Sequence, residues 1–118
     1  MAQHERVVCV GTALKEGEEG VRFEVMYGGR PTPAFVVRYG GLPRAFINRC
    51  AHLPRELDWT PGHFFDMTRT LLVCSLHGAL YYPESGKCYL GPCQGGGLVV
   101  LSVKEAGGQV IITDPAVV

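Results

Sequence analysis

Two short clusters constrain this chain more than anything else in it: Cys50-Ala51-His52 and, beyond residues 53–73, Cys74-Ser75-Leu76-His77. Each cluster supplies one thiol and one imidazole, the protein donors that soft and borderline metals prefer. Together they make a donor set of composition Cys2His2. The stretch between them is too long for both clusters to lie on one helix or one hairpin. A site built from them has to be closed by tertiary structure, and the rest of the chain reads as scaffold for the two loops.

That scaffold is patterned as β structure. Val21 to Tyr27 (VRFEVMY) alternates apolar and polar residues, Gly28-Gly29-Arg30-Pro31 interrupts, and Ala34 to Tyr39 resumes as the second arm of a hairpin. Gly40-Gly41-Leu42-Pro43 turns the chain into Arg44 to Asn48, a strand that delivers it to Cys50. Arg6 to Ala13 reads as a strand before a charged turn, with Cys9 a small packed hydrophobe in its middle. Leu71 to Cys74 leads into the second cluster, and Ala79 to Pro83 with Lys87 to Leu90 reads as a hairpin around Glu84-Ser85-Gly86. Leu98 to Lys104 and Gln109 to Thr113 form a closing hairpin across Gly107-Gly108. Helical character is confined to a turn expected at Pro54 to Leu57, where proline suits a first turn.

With 118 residues, 47% hydrophobic content and zero formal net charge, the expectation is a single domain over 1–118. Neutrality argues against nucleic acid or an anionic membrane as partner. No run approaches the ~20 apolar residues of a membrane span, and Met1 to Arg6 lacks the apolar core of a secretory signal. The protein is therefore expected to be soluble and cytoplasmic. In that compartment the five cysteines read as ligands and packed thiols, with Cys88 and Cys93 unpaired. His63, beside Phe64-Phe65, reads as a loop histidine, and Glu56, Asp58 and Asp66 read as solvated carboxylates.

Cys-x-His followed by Cys-x-x-His, running on as His77-Gly78-Ala79-Leu80-Tyr81-Tyr82 and then Glu84-Ser85-Gly86-Lys87, resembles the Rieske iron-sulfur family. The resemblance implies an all-β, Rieske-like (ISP domain) sandwich or barrel with a small cluster-binding subdomain formed by two loops, about residues 46–93. It implies a 2Fe-2S cluster, with Cys50 and Cys74 on the inner iron and His52 and His77 on the outer one. Gly78 and Tyr81 would supply hydrogen bonds around the cluster, and Pro92 would belong to a third loop packed over it.

Arg55 and Leu76 stand where high-potential members of the cytochrome bc type carry an extra disulfide pair, and Ala79 stands where they carry a serine. The likeness is therefore to the soluble, lower-potential ferredoxin branch, in the lower half of the family's range of about −150 to +300 mV. Residues 53–73 exceed the usual spacing between the ligand loops and read in part as an insertion.

A chain this short has no room for a separate catalytic iron domain. The function implied is one-electron relay from a reductase to a terminal oxygenase or similar oxidoreductase, as an electron-transfer component and not an enzyme. Alternatives are the small subunit of a nitrite-reductase-like complex, a zinc-stabilised Cys2His2 binding module, and a small hydrolase using a thiol-imidazole pair. Structural zinc sites usually pair like donors within a loop, whereas each loop here mixes them.

Overall fold

The computed structural model describes residues 5–50, 56–58, 60–74, 78–92 and 96–114. Its centre is a sheet begun by β2 (Val21–Tyr27), β3 (Arg30–Tyr39) and β4 (Leu42–Ile47). Gly28-Gly29 and Gly40-Gly41 join these strands, and all four glycines have positive φ, between 61° and 78°. A two-residue hairpin loop of that hand matches the twist of the strands, and glycine adopts it without a steric penalty.

β3 begins earlier than the pattern suggests, because Pro31 and Pro33 lie within it, opposite Met26 and Glu24. The Pro33 carbonyl faces away from β2 and accepts the Asn48 N–H at 2.8 Å. Backbone groups alternate sides along a strand, so neither proline removes a bond from the β2 ladder.

β8 (Val100–Leu101) adds to the free side of β4, giving the order β2-β3-β4-β8. A second sheet sets β10 (Gln109–Ile112) between β1 (Arg6–Val10) and β9 (Val103–Ala106). A third holds β5 (Leu72–Val73), β6 (Leu80–Tyr81) and β7 (Cys88–Leu90). All of these pairings are antiparallel. The expected strand at Leu98 to Lys104 is thus divided: its middle pairs with β4, and from Val103 the chain turns to β10. The first strand also stops at Val10, and Gly11–Ala13 forms a 3-10 turn. The helical turn expected at Pro54 to Leu57 falls largely outside the described residues.

The central sheet separates two cores. Ala34 and Val36 of β3, with Ala45 and Ile47 of β4, face a base core containing Leu14, Val25, Leu101, Val110 and Ile112. Phe35, Val37 and Phe46 point the other way, into an upper core with Leu57, Phe64, Leu72, Tyr81 and both candidate cysteine ligands. A strand buried on both faces has no polar side to show, which is why Ala34 to Val37 is an unbroken apolar run. Cys9 packs half-buried against the base core, and that burial pushes its thiol pKa up.

Arg38 locks the base. Its Nε donates to Leu14 O at 2.8 Å, Nη1 to Gly41 O at 3.1 Å and Nη2 to Gly11 O at 3.0 Å. The remaining donors grip Glu105 in a two-pronged contact, both bonds 2.9 Å. Every guanidinium N–H is thereby used. The hydrogen bonds to Arg38 hold Glu105 below its ordinary value, and the same contact raises Arg38.

Candidate metal centre

Each ligand loop grows from a strand end. β4 runs out at Ile47, and the next inward-facing positions, Asn48 and Cys50, are buried at 1% and 5% exposure. The second loop is the tip of the β5–β6 hairpin. Cys74 N–H donates to Ala79 O at 2.8 Å, and Gly78 N–H donates back to Cys74 O at 2.9 Å. Those bonds close the loop on Cys74 with backbone alone. Gly78 sits at φ 73°, and a Cβ there would meet nothing within 4 Å, so the backbone conformation and not crowding favours glycine.

Tyr81 ties the loops together. It is fully buried, and its hydroxyl lies 3.3 Å from Cys50 Sγ. Cys50, Cys74, Ala79 and Tyr81 all belong to the upper core. Neither Cys50 nor Cys74 is in a disulfide.

The third loop lies on the second. A Cβ added to Gly91 would come within 3.1 Å of Ala79 Cα, so only glycine allows the two backbones so close. Pro92, next along, is exposed. His52 and His77 lie outside the described residues, as do Arg55, Leu76 and Cys93. Among the described residues no three His, Cys, Asp or Glu side chains are gathered for a metal.

Two sequence expectations need correcting, at Asp58 and Cys88, and the stretch between the two clusters gains a role. Within 53–73, the stretch longer than the usual spacing, Leu57, Phe64 and Leu72 are fully buried in the upper core. Phe64 stacks on Phe35 with ring centroids 3.8 Å apart and planes 9° from parallel. These residues form a wall of the upper core.

Asp58 is not solvated. Its side chain is fully buried and accepts from Asn48 Nδ2 at 3.0 Å, Gly62 N at 2.9 Å and Arg22 Nε at 3.1 Å. Neighbouring Glu56 is half exposed and pairs with Arg22, and Asn48 Oδ1 accepts the Leu57 N–H at 2.8 Å. A carboxylate can be buried when such donors replace water. Asn48, just past β4, and Arg22 of β2 carry no local signal of this role beyond an amide two residues before a candidate ligand.

Cys88 is disulfide-bonded, contrary to the expected thiol, and its partner lies outside the described residues. The expectation rested on redox compartment, which says nothing about geometry. His63 behaves as foreseen: it is half exposed, and its Nε2 lies 3.2 Å from Glu19.

The donor set suits an iron-sulfur unit. Two buried thiols are kept out of disulfides, Cys50 beside a phenol hydroxyl and Cys74 in a turn closed by backbone hydrogen bonds. Fold and site together define a β domain in which two buried cysteines from separate loops share one core. The chain belongs to the Rieske [2Fe-2S] domain family, whose model matches residues 4–106. A 2Fe-2S cluster is accordingly its cofactor.

No curated protein matches the chain in sequence. Among solved structures, the ferredoxin of carbazole 1,9a-dioxygenase from Nocardioides aromaticivorans IC177 overlays with a TM-score of 0.75 at 21% identity, covering 95% of this chain and 99% of that one. The Sphingomonas yanoikuyae B1 ferredoxin overlays at 0.73 with 22% identity, covering 94% and 99%. A complex of reduced oxygenase and oxidized ferredoxin in carbazole 1,9a-dioxygenase contains a chain that overlays at 0.72 with 23% identity, covering 94% of each. At these identities the likeness is one of fold.

Proposed function

We propose that this protein is a Rieske-type ferredoxin that carries one electron at a time from a reductase to a terminal oxygenase or similar oxidoreductase, with no substrate-converting site of its own. Cys50, His52, Cys74 and His77 are its ligands. The observation that carries this reading is the burial of Cys50 and Cys74 in one core with the Tyr81 hydroxyl 3.3 Å from Cys50 Sγ.

When bound, a cluster with two imidazole ligands supplies a one-electron couple of higher potential than an all-cysteine one. The chain's own residues set the rest. Tyr81 donates toward the Cys50 sulfur and so favours the more negative, reduced state. The upper core excludes water from the thiolates. His52 and His77 would take the solvent side, where a partner's redox centre can approach.

A neighbouring structure that holds both a ferredoxin and an oxygenase supports the choice of partner class. A cytoplasmic location is part of the same proposal, and the Cys88 disulfide weighs against it because disulfides persist in oxidising compartments. Cell fractionation decides that point.

Iron retained per chain in Cys50→Ser, Cys74→Ser, His52→Ala and His77→Ala tests the ligand set. Loss or gross alteration of the cluster in all of these variants supports it. A variant with an unchanged spectrum removes that residue from the set.

A further inference from the structure

We propose that Asn48, Asp58 and Arg22 form a clasp that closes the first ligand loop with or without metal, making them positioning residues for Cys50 and His52. This rests on the ligand set above. Asn48 stands where β4 ends, and its side chain bridges to the far end of the loop by accepting from Leu57 N–H at 2.8 Å and donating to Asp58 Oδ1 at 3.0 Å. The chain from Asn48 to Asp58, carrying Cys50 and His52, is thus shut at its base. Asp58 Oδ2 then anchors that base, accepting from Gly62 N at 2.9 Å and from Arg22 Nε of β2 at 3.1 Å.

The chemistry of the clasp argues for a role beyond filling space. Every partner of Asp58 is a donor, so both its oxygens must accept. Burying a carboxylate is costly, and well-packed apolar groups often serve stability as well or better. What the polar arrangement adds is a fixed geometry at both ends of one loop. The second ligand loop needs no such device, because its Cys74–Ala79 and Gly78–Cys74 bonds are made by backbone.

An exchange of side chains tests the bonding directly. In Asn48→Asp with Asp58→Asn, the amide nitrogen takes the place of Asp58 Oδ1 and donates to the new carboxylate. The remaining oxygen still accepts from Gly62 and Arg22. Only one hydrogen bond reverses. The contact from Asn48 Nδ2 to Glu56, 3.4 Å, would become one carboxylate against another, so the reference protein and all variants carry Glu56→Gln. Each single change sets two acceptors or two donors face to face.

The experiment follows amide hydrogen exchange at Leu57 and Gly62 in metal-free protein, and iron loss to a chelator from the holoprotein. Arg38→Met serves as a control that weakens the other core. Each single variant is expected to exchange and lose iron about tenfold faster than the reference protein, the scale of one hydrogen bond lost. The double exchange is expected to return both rates to near those of the reference, and the control, corrected for global stability, to leave them unchanged. Singles that match the reference, a double no better than its singles, or a control that moves both rates equally would overturn the clasp. A wild-type protein that takes up no iron would instead refute the functional reading, while exchange in the metal-free protein still decides the clasp.

Discussion

Replacing Tyr81 by phenylalanine removes one oxygen from the floor of the site and leaves the ring in place. The ring is fully buried between the ligand loops, so its packing survives, and the change falls on the hydroxyl 3.3 Å from Cys50 Sγ. A hydrogen bond to a sulfur ligand gains strength when an added electron makes the sulfur more negative. If the bond's net worth of about 0.5–1.5 kcal/mol is realised mainly in the reduced state, its loss lowers the reduction potential by about 20–60 mV. Protein-film voltammetry on Tyr81→Phe measures this directly. Tyr82→Phe, altering an exposed neighbouring ring, should leave the potential where it was. An intact cluster with an unshifted potential in Tyr81→Phe would refute the assignment of this hydroxyl to the sulfur.

Other consequences are open to simple tests. Phe64→Ala removes a fully buried ring stacked on Phe35 and should destabilise the protein by about 3–5 kcal/mol in urea unfolding, whereas Met67→Ala, fully exposed, should change it by under about 0.5 kcal/mol. Equal effects would mean that residues 53–73 do not form a wall of the core. Because Arg38 holds Glu105 below its ordinary 4.5, that pair stabilises the fold above the unfolded-state value and its contribution fades as pH falls through the lowered one. Glu105→Gln should therefore flatten part of the acid limb of a stability-against-pH curve, and an unchanged limb would count against the pair. In alkylated, unfolded protein, Cys88 should stay unmodified until a reductant is added, and its labelling without one would contradict the disulfide.

Much of the scaffold is legible because turns and periodicity are local properties. The Gly-Gly pairs at 28–29, 40–41 and 107–108 mark hairpins that the structure places there, and Val21–Tyr27 is a strand with the bounds its alternation suggests. Pro31 and Pro33 mislead because whether a proline breaks a ladder depends on which neighbour its nitrogen faces, and that is settled only when β4 ends beside it. Leu98 to Lys104 misleads in a similar way, since one apolar run serves two sheets.

At the site, spacing singles out Cys50 and Cys74 and the family resemblance singles out Tyr81, and the structure buries all three in one core. Asp58 is not legible, because its burial depends on Asn48, just past the end of β4, and on Arg22 of β2, far off in the chain. A lone acidic residue in a loop carries no trace of such partners. The same holds for Phe64, whose role is visible only when Phe35 is beneath it.

Counting iron, acid-labile sulfide and zinc on one sample of the purified protein, and recording its EPR spectrum after dithionite reduction, tests the cluster most directly. A 2Fe-2S cluster gives two irons and two sulfides per chain, with a reduced signal whose average g lies below the free-electron value, as imidazole-ligated clusters of this kind give. One zinc per chain, in a protein that stays colourless after anaerobic reconstitution, would contradict it and leave a zinc-stabilised binding module in its place.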